Sequence, residues 1–82
     1  MREKRQKVID IITDQVLLYQ ALNKGRKPDR IYMSTSLYYF LTGQRWKEDT
    51  KTNIHGIKIK CFNSKDFEFS MSEVVDVTQL TT

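Results

Sequence analysis

The sequence predicts an α+β domain in the order α-β-α-β-β, with a long N-terminal helix packed on a small sheet and a C-terminal β-hairpin. Three observations predict it. An apolar stripe of helical period runs from the N-terminus to about residue 23, "NKGRKPD" stops it, and two strictly alternating segments follow one another in the last third of the chain.

Taking about 100° per residue from Val8, the side chains of Val8, Ile12 and Tyr19 point one way. Ile11, Leu18 and Leu22 flank them on one side and Ile9 and Val16 on the other, while Asp10, Thr13, Asp14 and Gln20 lie opposite. This predicts a helix over about residues 4–23 with a stripe wide enough to cover a sheet or a partner helix. Leu17 and Ala21 fall on its polar side, where a contact between two copies would account for them. Gly25 suits the left-handed position after a helix, Lys24 complements the negative helix end and Pro28 forbids continuation.

"RIYMS" reads as a short strand with Ile31 and Met33 on one face. Thr35 or Ser36 then offers an N-cap for a short helix in "SLYYFLTG", ended by Gly43. Leu37, Phe40 and Leu41 share its inner face, leaving Tyr38 and Tyr39 to point elsewhere. Residues 43–53, polar apart from Trp46, have no period and read as a loop. In "IKIKCF" and "FEFSMS" the alternation sets Ile57, Ile59 and Cys61 on one face and Phe67, Phe69 and Met71 on one face. Pairing Cys61 with Phe67, Ile59 with Phe69 and Ile57 with Met71 as a hairpin gathers all six on the same side. It sets Lys60 beside Glu68 and leaves Asn63-Ser64-Lys65 as the turn. A strand at 30–34 lying beside one at 57–62 would be joined to it by a right-handed parallel crossover. "EVVDVTQL" fits either an extension of the last strand or a terminal turn.

With 82 residues the chain forms a single domain, 1–82, whose core is small enough that homodimerisation would be an economical source of further apolar burial. One cysteine, Cys61, allows no internal disulfide, and with a single histidine it leaves no four-ligand metal set. No apolar run of membrane-spanning length and no signal-peptide pattern is present, so the expectation is a soluble protein of a reducing cytoplasm, without a membrane partner. The formal charge of +4 is unevenly spread: residues 1–30 carry +4, 31–60 carry +3 and 61–82 carry −3. Such a molecule can dock its first half on phosphate or stack on a second copy of itself.

For catalysis the chain offers no constellation, and neither an enzyme nor a cofactor is expected. His55 precedes Gly56 at the start of a strand with no nucleophile at a usable spacing, and Cys61 faces inward as a small hydrophobe. Asp10 and Asp14 share an exposed helix face, and "NKGRKPD" lacks the ending of a phosphate loop. Binding is better served. "YYFLTGQRWK" concentrates Tyr38, Tyr39, Arg45, Trp46 and Lys47, residue types that dominate interface energetics, and these are the candidate contacts for a protein partner. The alternative is nucleic acid, through Arg2, Lys4, Arg5 and Lys7 at one end of the first helix and Lys24, Arg26, Lys27 and Arg30 at the other. At about 1.5 Å per residue those two groups lie roughly 30 Å apart and form no single patch. The chain has no helix-turn-helix, zinc-finger or GXXG signature.

"KPDRIYMSTSLYYFL" followed by "NIHGIKIKCF" resembles a strand-helix-strand pattern of small phage-encoded proteins and of parts of major-capsid-type proteins, over about residues 27–62. There an "I-x-M-S/P" strand is followed by an "L-Y-x-x-L" helix and an "I-x-G-I-x-I" strand. The resemblance implies an accessory protein of a bacteriophage or mobile element, acting in the host cytoplasm as a binder or inhibitor of host or viral machinery, defence systems included. The shared positions are structural, so the resemblance assigns no functional residue.

Overall fold

A computed structural model of the chain describes residues 2–47 and 52–81. Val8, Ile12 and Val16, one helical turn apart, form the buried spine of α1 (Arg2–Leu22). They meet Ile31 and Met33 of β1 (Arg30–Ser34), Ile57 and Ile59 of β3 (Ile57–Phe62) and Phe69 of β4 (Glu68–Ser70) in one core. Leu37 and Tyr38 of α2 (Thr35–Thr42) join that core, as does Val77 between β5 (Val74–Asp76) and the closing turn α3 (Thr78–Thr81). The α+β class, the long first helix and its seat on a sheet are as expected. Leu18 and Leu22, expected to flank the buried stripe, are exposed along with Leu17.

The sheet has five strands in the order β2-β3-β1-β4-β5, with β2 a two-residue strand at Asn53–Ile54. β1 is central, parallel to β3 and antiparallel to β4. The parallel pairing of residues 30–34 with 57–62 holds, with Ile31 opposite Ile59 and Met33 opposite Cys61. The expected C-terminal hairpin does not form: Phe69 pairs with Met33 of β1 and with Val75 of β5, and Lys60 neighbours Tyr32 rather than Glu68. Every face assignment behind it nevertheless stands, because Ile57, Ile59 and Phe69 are buried and Cys61, Phe67 and Met71 pack around them. Alternation determines which side a residue takes and is silent on which strand lies next to it. A strand between β3 and β4 gains ladder bonds on both edges, and the link from Asn63 to Phe67 spans it.

Ser34 makes that crossing possible. The hydroxyl of this buried serine accepts from the N–H of Leu37, capping α2, and from the N–H of Glu68 at the start of β4. The N-cap is thus Ser34, one residue before the expected Thr35, and Gly43 ends the helix in the left-handed region at φ 72°. Ser36 Oγ donates to the Ser64 carbonyl at 2.7 Å, tying the link over the helix start.

At the end of the expected loop, Asn53 pairs with Lys58, and just beyond it Ile54 pairs with Ile57 across a two-residue turn in which His55 and Gly56 have φ of 55° and 79°, as a type I′ hairpin requires. Residues 48–51 of that loop lie outside the described residues. His55 Nε2 is 2.8 Å from Thr13 Oγ1 on α1, and the His55 carbonyl accepts from Lys27 Nζ, so the sole histidine fastens the hairpin to the helix layer.

Cys61 is half-buried, and desolvation pushes its thiol up to about 11 from 9.0. Folded chains thus keep the proton between those values while unfolded chains lose it. Stability contributed by the neutral thiol is complete below pH 9.0 and falls as pH rises through about 11. The difference between the denaturant midpoints of wild type and Cys61→Ala is expected to be constant below pH 9.0 and to shift against wild type above it, and thiol labelling of the native chain near neutrality should be slow until denaturant is added.

Candidate functional site

The candidate site grows out of the C-terminal end of β1. The turn from β1 into α2 presents Thr35 and Ser36, and the link after β3 brings Asn63 and Phe67 beside them. Gly43 then reverses the chain at the far end of α2, so that Arg45 and Trp46 fold back along the helix toward Tyr39. These seven residues line an open groove of about 530 Å³. Phe67 is held by an edge-to-face contact with Phe40, the ring centres 5.8 Å apart. Thr35 Oγ1 reaches Asn63 Oδ1 at 3.5 Å across the groove's mouth.

Three of the five contacts expected for a protein partner meet here: Tyr39, Arg45 and Trp46. Tyr39 is 56% exposed and Arg45 is exposed, whereas Trp46 is half-buried against the core. Lys47 is exposed but stands outside the groove lining. Tyr38 is corrected. It is only 1% exposed, its ring fills the core and its hydroxyl is 2.7 Å from Thr52 Oγ1, so no incoming molecule can reach it. A helix lying flat on a sheet turns a stripe wider than one row of residues inward, and the buried phenol is accepted because Thr52 satisfies it. Phe67, Thr35, Ser36 and Asn63 were not legible as site residues, because the sheet order that assembles them was not.

The indole N–H of Trp46 is buried and, among the described residues, has no hydrogen-bond partner. An orphaned buried donor costs about 1–3 kcal/mol. Arg45 adds a forked, always-charged donor suited to a carboxylate.

No family model matches the chain, and neither a curated protein nor a solved structure does.

The alternative residues for nucleic acid separate as their spacing predicts. Lys4, Arg5 and Lys7 are exposed on the first turns of α1, and the Arg2 side chain lies outside the described residues. Lys24, Arg26 and Lys27 sit in the turn beyond the other end of α1, and Arg30 opens β1. Among the described residues, no helix is long and apolar enough to cross a membrane, and no three His, Cys, Asp or Glu side chains gather to hold a metal ion.

Proposed function

We propose that the protein is a non-catalytic binding module that captures a protein partner in the groove between α2 and Phe67. The observation that carries this reading is the convergence of Tyr39, Arg45 and Trp46 on one cleft. The occupant best suited is a peptide segment that offers an acidic side chain to Arg45 and an apolar group to the rings. Together with the resemblance of residues 27–62 to phage proteins, this supports an accessory protein of a phage or mobile element that blocks or redirects a host or viral protein in the bacterial cytoplasm.

The test is to replace Tyr39 by a photo-crosslinking phenylalanine, identify what is trapped, and measure its affinity as a purified protein for wild type and variants. A partner that crosslinks from position 39, and equally from a position on the first turn of α1, would not be a groove ligand.

A homodimer is part of the same proposal. Leu17, Leu18 and Leu22 are 58%, 52% and 75% exposed and, with Ala21, form one apolar stripe on the C-terminal end of α1. Two such helices packed antiparallel about a point between Leu18 and Ala21 would bring Asp14 of each copy to the level of Lys24 on the other, so the charges complement the apolar match. Leu18→Lys with Leu22→Lys is expected to convert a sedimenting dimer to monomer while the far-ultraviolet circular dichroism stays native. A wild type that is monomeric at high micromolar concentration would refute the dimer.

A further inference from the structure

Among the described residues, the helices cover one side of the sheet. Residues 31, 33, 57, 59 and 69 face the helices, and the alternate residues of the same strands face out. On the outer face of β1 and β3, Arg30 stands opposite Lys58 and Tyr32 opposite Lys60, two rows about 6.6 Å apart. Phe62 stands in the next row, opposite Ser34. Tyr32 is 45% exposed and Phe62 37% exposed, while Arg30, Lys58 and Lys60 are exposed. Neither β1 nor β3 contains an acidic residue. Arg30, Tyr32 and Lys58 continue into an open depression of about 820 Å³ at the end of the sheet away from the groove, where Lys27 joins them. Asp29 also lines that depression, among three cations, while on the other half of the sheet Glu68 of β4 stands opposite Asp76 of β5.

We infer that this outer face of β1 and β3 is a platform for a single polynucleotide strand. An exposed ring in the middle of a flat sheet offers a base a stacking partner at no cost in sequence readout, and cations on both sides of it track phosphates. A duplex keeps its bases stacked on one another and leaves Tyr32 without a role. An acidic protein would satisfy the cations and also leave the rings idle. The carboxylates of Glu68 and Asp76 bound the track on one side by repulsion. The residues involved are distinct from the two cationic groups at the ends of α1 except at Lys27 and Arg30, and the inference is independent of the groove. Stacking and phosphate contacts are common to DNA and RNA, so the strand is read through its bases and phosphates.

The test is fluorescence anisotropy with labelled oligothymidine and oligouridine of about 20 nucleotides, titrated at several salt concentrations, with polyglutamate as competitor. Both oligomers are expected to bind alike. With four cations engaged (Lys27, Arg30, Lys58 and Lys60), the logarithm of affinity should fall with the logarithm of salt with a slope of about −3. Tyr32→Ala should weaken binding by about fivefold or more at unchanged slope, and Tyr32→Phe should retain it. Lys58→Ala with Lys60→Ala should reduce the slope by about 1.4. All these side chains are exposed, so the variants fold. The inference is overturned if neither oligomer binds at low salt, if Tyr32→Ala binds as wild type, if polyglutamate displaces the strand at equal charge, or if one sugar is strongly preferred.

Discussion

Phe69→Ala is expected to destabilise the domain by about 3–5 kcal/mol, a large share of its total stability. Phe69 is 1% exposed and sits where β4 is held between β1 and β5, under the helix layer. Truncation removes ring area and leaves a cavity that strands pinned on both sides cannot close. At about 0.05–0.15 kcal/mol per residue, an 82-residue chain has a total of roughly 4–12 kcal/mol to lose. Met71→Ala is the control. Met71 is only half-buried at the margin of the core and beyond the end of β4, so it should cost far less. Had β4 paired with β3 as the sequence suggested, Met71 would lie opposite Ile57 inside a ladder, and the two losses would be similar. Urea midpoints at a common slope separate these cases.

The second large effect concerns the groove. Arg45→Glu is expected to reduce affinity for the partner trapped from position 39 by about 2 kcal/mol or more, roughly thirtyfold, because it removes a forked donor and confronts the ligand with like charge. Tyr39→Ala should have an effect of the same order, since Tyr39 is exposed and touches the core little. Trp46→Phe is the informative companion. It keeps a ring over the groove and deletes an N–H that has no partner among the described residues. Stability should therefore stay level or rise, while affinity should fall by less than for Tyr39→Ala, because the ring that replaces the indole is smaller but still lines the groove. A tryptophan that served only to seal the core would show the reverse pattern, with stability lost and affinity unmoved.

The parts of this molecule that were legible in its sequence are those governed by period. Helical spacing placed Val8, Ile12 and Val16 on the buried side of α1, and alternation placed Ile31, Met33, Ile57, Ile59 and Phe69 on the inner face of the sheet. Gly25 and Gly43 marked two helix ends, with φ of 81° and 72°. Neighbour relations were not legible, because a period-two pattern is the same whatever strand lies alongside. The serine at 34 decides the matter by capping α2 and receiving β4 with one oxygen, and nothing in the letters "MSTS" distinguishes that serine from the ones after it. The turn at His55-Gly56 left a fainter signal: a glycine after a residue that tolerates the left-handed region, between two isoleucines. For the site, the segment holding Tyr39, Arg45 and Trp46 was legible from composition, whereas the inward turn of Tyr38 depended on a tilt of α2 set by the sheet beneath it.

Trp46 is the only tryptophan, so its indole gives a single, unambiguous nitrogen–proton resonance. Its response to the purified partner is the most direct measurement available. Groove binding predicts a slowly exchanging signal in the free protein, as for a buried donor, and a change in its position on saturation as the ligand packs on the residue that lines the groove. A partner that binds fully while this resonance keeps its position, with shifts confined to α1 or to the outer face of the sheet, would contradict the account.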